Sequence, residues 1–245
     1  LDQTVYALDF TTIELCLALF PGAPFQRRKA ARKIHALWDL RGRIAGFIRV
    51  TSAHVSDVSV WDDFLPQPGA CYVMDRGYIH FARLYRLTTA AAFFVVRTRK
   101  NMLYRRRDSH RVDKATALRS DQTIVFTVQD SAHDYPAPAR LIRYGDQQHN
   151  LRLGFLINNF QLPALTIAQL YKRRWDVELF FTWIKQHLRI KKFYGTSPNA
   201  VKTQLLVAMI VYLLLAILRK QHGVEAGLYS FSASPFSRKP PFYRC

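Results

Sequence analysis

Cysteine is scarce: Cys16, Cys71 and Cys245 stand far apart and form no Cys-x2-Cys pair. That excludes a disulfide framework or a thiolate zinc site and fits ordinary thiols in a reducing compartment. The eight histidines show no paired ligand spacing, so His35 and His187 read as core or surface residues and not as zinc ligands. No secretory-leader pattern opens the sequence and no internal repeat is visible. The longest apolar run, Leu205 to Leu218, has 14 residues, short of the ~20 that span a bilayer, so a buried core helix and no membrane partner are expected. Acidic residues are the most telling shortage. Seventeen Asp and Glu face 36 Lys and Arg, a net charge of +19, which points to a polyanion and most directly to nucleic acid.

What is present is a foldable chain of 245 residues, 49% apolar and 13% aromatic, long enough for a proper core. Periodicity predicts strands at Val5–Phe10, Ile34–Asp39 and Ala45–Val50, the last two a hairpin around Arg41-Gly42. A short helix at Asp57–Leu65, a buried strand Cys71–Met74, a helix at Phe81–Thr88 and a strand Ala92–Val96 follow. Polar residues dominate 101–150, with β-prone pieces such as Gln122–Val128, which predicts a β-rich insertion. Leu153–Ile157 returns to the main sheet, and two long helices, Thr166–Ile190 and Ala200–Lys220, complete an α/β layered unit over 1–222. Residues 223–245, rich in Gly, Ser and Pro, read as an irregular tail.

On the predicted helix YKRRWDVELFFTWIK, Arg174, Glu178 and Lys185 fall within about 60° of Tyr171. They form one polar stripe on an otherwise apolar, largely buried helix, and a glutamate there needs partners or a metal. Asp9 and Asp75 stand at the ends of two predicted strands, where functional groups gather in open sheets. If the three carboxylates converge, divalent ions relieve their mutual repulsion, and two such ions can activate a water or 3′-hydroxyl against a phosphodiester. Arg174 and Lys185, and Tyr171 beside them, then face a phosphate backbone as hydrogen-bond donors. The basic segment Arg97 to Arg107, ending in Arg105-Arg106-Arg107, is a second candidate for backbone contact.

Asp75-Arg76-Gly77-Tyr78 and the spaced set Tyr171-x2-Arg174-x3-Glu178-x6-Lys185, with LDFTTIELCLALFP and LTIAQLYKRRWDVELFFTWIKQHLRIKKFYGTS, resemble the DDE transposases of bacterial insertion sequences, in the insertion-sequence-four group. The likeness runs from about Val5 to Lys220. It implies a ribonuclease-H-like mixed sheet flanked by helices, with a β-rich insertion before the last catalytic helices. It implies Mg²⁺ or Mn²⁺, two ions held by Asp9, Asp75 and Glu178, with Tyr171, Arg174 and Lys185 on the DNA ends. The implied activity is metal-dependent cutting at transposon ends and strand transfer into target DNA, by a homodimer on double-stranded DNA in a bacterial cytoplasm at the nucleoid. Two departures bear on this. Phe10 sets a bulky ring beside Asp9, and only eight residues precede Asp9, so an end-recognition region is expected to be missing. A catalytically inactive DNA-binding remnant is the alternative.

Overall fold

The computed structural model describes residues 3–14, 31–99, 101–113, 115–146, 151–187, 195 and 197–221. The basic cluster at 27–29 and the predicted tail 223–245 lie outside these residues. Among the described residues nine strands form one mixed sheet: β1 (Val5–Glu14), β2 (Ala31–Asp39), β3 (Ile44–Ser52), β4 (Cys71–Met74), β5 (Phe93–Arg97), β6 (Tyr104–His110), β7 (Leu118–Phe126), β8 (Ala139–Asp146) and β9 (Leu151–Ile157), in the order β3-β2-β1-β4-β5-β9-β8-β7-β6. β1, β4 and β5 run parallel; β2 and β3 continue antiparallel on one side, and β9 to β6 on the other. The strands between 104 and 146 are therefore hydrogen-bonded through β9 to the central sheet.

The short β4 is buried at all four positions, as a strand covered on both faces should be. On one face Val73, Ala7, Val95 and Phe155 pack against three helices, α3 (Ala164–Arg173), α4 (Trp175–His187) and α5 (Pro198–Gln221), through Tyr171, Val177, Phe180 and Leu205. On the other, Tyr72, Met74, Phe94 and Leu156 meet Trp61, Leu84, Leu87 and Tyr135 from a 3-10 segment at Asp57–Asp63, from α1 (Phe81–Thr89), and from the residue that ends α2 (Gln129–Asp134). Each fully buried large side chain contributes on the order of 2 kcal/mol. α1 carries the chain from β4 to its parallel neighbour β5, as a crossover helix must.

Two sequence expectations need correction. A single helix over Thr166–Ile190 is instead two, broken at Arg174, whose N–H reaches back to the Tyr171 carbonyl at 3.1 Å while its own carbonyl accepts from Val177 at 3.2 Å. These i,i+3 bonds tighten the turn without any Pro or Gly. The apolar α5 is a core helix on one side only. Val201, Leu205, Met209 and Tyr212 are buried, whereas Val207, Ile210, Leu214 and Leu218 are each about half exposed. By length and composition Asn199–Leu218 could cross a bilayer, but its inner face is committed to the sheet and α4.

Candidate active site

Asp9 lies in the middle of β1 and, with Val5 and Ala7, on the face covered by α4. Phe10 points to the opposite face, where its ring sits 5.9 Å from His35 and 5.0 Å from the Lys33 ammonium. Strand alternation thus removes the expected crowding at Asp9. What Phe10 supplies to the site is its backbone N–H, which donates to Asp9 Oδ1 at 2.9 Å. Asp75 follows β4, the strand paired with β1, and opens the 3-10 turn Arg76–Tyr78. Tyr171 on α3 and Glu178 on α4 close in from the helical layer.

One arginine ties this group together. Arg174, at the break between α3 and α4, donates through Nη1 to Asp9 Oδ2 and through Nη2 to Glu178 Oε1. Asp75 is held separately: Tyr171 Oη donates to its Oδ1 at 3.0 Å, and Arg97 Nη1 stands 3.9 Å from the same oxygen. Asp9 and Glu178 are thus bridged by one side chain, and Asp75 lies near enough to Asp9 for its charge to act on it. Tyr171 and Arg174, predicted to face DNA, instead turn inward onto them. Lys185 is exposed farther along α4, and Arg105, Arg106 and Arg107 are exposed on the outermost strand β6. Sequence reading placed Arg97 in a basic run but missed its link to Asp75; strand parity from Val95, on the helix-covered face, is the signal that finds it.

The electrostatics show a site short of positive charge. Burial pushes the Asp9 carboxyl up to about 6; Arg174 and the Phe10 N–H pull it down, but the nearby Glu178 and Asp75 push it up again. One guanidinium shared between two acids does not offset desolvation of the more buried one. Tyr171 is raised well above its ordinary value by burial and stays a neutral donor. Arg174 keeps its charge, because Asp9, Tyr171 and Glu178 outweigh the burial that opposes it. Its Nε is buried and finds no partner among the described residues, so its hold on the site is incomplete.

Three carboxylates are a hard-oxygen donor set suited to Mg²⁺ or Mn²⁺, which need few protein ligands. Among the described residues no three Asp, Glu, His or Cys side chains are already gathered to hold an ion, and the Arg174 guanidinium bonds both Asp9 and Glu178. The donor chemistry fits a divalent cation, and a cationic group already bridges two of its carboxylates.

A family profile described as Transposase DDE domain matches residues 1–214. The chain belongs to this family. The transposase chain is 32% identical over 213 residues to a Sinorhizobium fredii protein named as a transposase, covering 82% of this chain and 57% of that one. It is 30% identical over 241 residues to a protein of Geobacillus stearothermophilus named as a transposase for insertion sequence element IS5377, covering 96% and 63%. A Synechocystis protein named for insertion sequence element IS4SA is 25% identical over 226 residues, covering 89% and 61%. The transposase chain thus spans about three-fifths of the length of these curated relatives. Its fold is similar to that of the piggyBac transposase in a synaptic complex with hairpin DNA, with a TM-score of 0.50, 11% identity, and coverage of 89% of this chain and 48% of that one. The ribonuclease-H-like fold expected from the sequence is the one observed.

Proposed function

We propose that this chain is the catalytic domain of a DDE transposase that cuts phosphodiester bonds at insertion-sequence ends and joins the freed 3′-hydroxyl to target DNA. The observation that carries this reading is that Arg174 joins Asp9 on β1 to Glu178 on α4, while Tyr171 from the adjoining helix α3 holds Asp75 at the end of β4. These residues would hold Mg²⁺ or Mn²⁺, two ions in all. Such ions would supply the charge that activates the attacking oxygen and steadies the leaving one. Tyr171 fixes the orientation of Asp75, Arg174 neutralises Asp9 and Glu178 while no metal is held, and Lys185 reaches out from α4 to the DNA end. In hydrolysis a water oxygen bonds to phosphorus as the bond to the leaving 3′-oxygen breaks. In strand transfer the freed 3′-hydroxyl takes the place of water. Residues 1–222 would act as one catalytic unit carrying 101–150 as an insertion, paired as a homodimer on double-stranded DNA at the bacterial nucleoid.

The test is Mn²⁺-dependent nicking of supercoiled DNA by the chain and by Glu178→Gln, which preserves helix propensity and shape while removing the charge. Nicking by the parent, lost by about 100-fold or more in the variant, supports the proposal. Equal nicking by both removes Glu178 from the site. DNA binding without nicking by the parent favours the inactive-remnant reading.

A further inference from the structure

Two side chains on one turn hold all three candidate carboxylates. Tyr171 and Arg174 stand three residues apart where α3 ends, and the Arg174 N–H donates to the Tyr171 carbonyl at 3.1 Å. Tyr171 Oη donates to Asp75 Oδ1 at 3.0 Å, while Arg174 sends Nη1 to Asp9 Oδ2 and Nη2 to Glu178 Oε1. The two holders also face each other, with the guanidinium carbon 5.6 Å from the centroid of the Tyr171 ring, within the range of cation–π attraction. One oxygen of each acid is thus engaged by the stretch 171–174. On Asp9 the second oxygen is engaged as well, by the Phe10 N–H.

This arrangement opposes the chemistry proposed for the same acids. A hard divalent cation takes carboxylate oxygens at about 2 Å, and a guanidinium already in contact with two of them repels it. Arginine does not relieve the conflict by shedding its proton, so its side chain has to move. The Arg174 and Asp9 side chains are each 13% exposed, against 32% for Glu178 and 36% for Asp75. A cation arriving from solvent therefore meets the Glu178 and Asp75 arms first, and Asp9 last.

We infer that the turn carrying Tyr171 and Arg174 is a clasp that keeps divalent cations off Asp9, Asp75 and Glu178 until both side chains swing away. The inference rests on the proposed function for the identity of the cation, and adds that the resting chain resists it. Metal affinity is then set by the clasp as well as by the ligands. Because one turn carries both arms, drawing Arg174 from its acids also loosens the Tyr171 bond to Asp75.

The experiment reads Mn²⁺ affinity of the DNA-free chain from the free-ion EPR signal at about pH 8, where carboxylates are ionised. It compares the parent with Arg174→Gln, Arg174→Lys, Tyr171→Phe and the double variant Arg174→Gln/Tyr171→Phe. The expected result is binding about tenfold tighter or more in Arg174→Gln than in the parent. Arg174→Lys should fall between them, since its ammonium keeps the charge but lacks the fork that spans two acids. Tyr171→Phe should gain less, and the double variant less than the product of the two single gains, as coupled groups do. An arginine that merely braces the fold would leave affinity unchanged or weaker when removed. Adding Glu178→Gln to each chain locates the ion, and should abolish the binding in all of them. An Arg174→Gln chain that keeps the parent's near-UV circular dichroism and binds Mn²⁺ no more tightly overturns the inference; if that chain does not fold, Arg174→Lys decides by the same comparison. The proposed function stands in that case if Glu178→Gln still abolishes the parent's binding. Single gains that multiply in the double variant overturn the shared clasp. Mn²⁺ binding that is absent from every chain, or indifferent to Glu178→Gln, overturns the inference and the proposed function together.

Discussion

Asp9 carries the clearest pH signature at the residue scale. Its carboxyl titrates higher in the fold, at about 6 through burial, than in an unfolded chain, near 3.9. The stability this group contributes is therefore full below about pH 4 and lost as pH rises through about 6. In metal-free buffer, urea unfolding of Asp9→Asn against the parent should show the variant gaining about 3 kcal/mol relative to the parent between pH 4 and 7. A difference that stays constant with pH contradicts the burial argument. Tyr171→Phe tests a second contact. It removes the 3.0 Å bond to Asp75 from a buried ring and should cost about 1 kcal/mol in the same assay. Asp75 could be picked out from a strand end and Glu178 from helical spacing, because both depend on local periodicity; Asp9, expected at the end of Val5–Phe10, lies mid-strand because β1 runs on to Glu14. The inward turn of Arg174 could not, because a helical wheel gives a direction around an axis and says nothing of what waits there.

Elements place these residues, and one buried ion pair steadies the approach to them. Arg140 on β8 forms two bonds with Asp121 on β7, at 2.8 and 2.6 Å, and also donates to the carbonyls of Asn159 and Leu162. It thereby ties the sheet to the loop that opens α3. Asn158 adds a second tie, accepting from Phe94 N–H and donating to the Ala92 carbonyl. Arg140→Ala leaves Asp121 buried and uncompensated, so thermal or urea unfolding should register a loss of about 3–5 kcal/mol. The two faces of α5 offer a contrast. Leu205→Ala, in the core, should cost about 2–4 kcal/mol, whereas Ile210→Lys, 55% exposed, should stay within about 0.5 kcal/mol. Strand β4 was legible as four consecutive apolar residues of a doubly covered strand. The break at Arg174 was not, since neither Pro nor Gly marks it and it shows only in i,i+3 hydrogen bonding at a residue held by two carboxylates. The half-exposed face of α5 was equally hidden, because composition alone does not reveal which neighbours a helix has.

At the scale of the whole molecule, 36 basic against 17 acidic side chains sit on a fold whose deepest acidic cluster is only partly neutralised. The outer charge attracts polyanions over a range set by ionic strength, and replacing Arg105, Arg106 and Arg107 together with Ala should flatten the salt dependence of duplex binding by about two to three phosphate equivalents. Unchanged dependence would remove β6 from the binding surface. The proposed function requires the inner cluster to take a divalent cation where Arg174 now bridges Asp9 and Glu178. A crystal structure of the chain with Mn²⁺, read by anomalous scattering, tests this most directly. The expected result is a Mn²⁺ peak in contact with Asp9, Asp75 and Glu178, with the Arg174 guanidinium withdrawn from at least one of the two acids it now bridges. Anomalous density only elsewhere, with Arg174 still bonded to both Asp9 and Glu178, would contradict it.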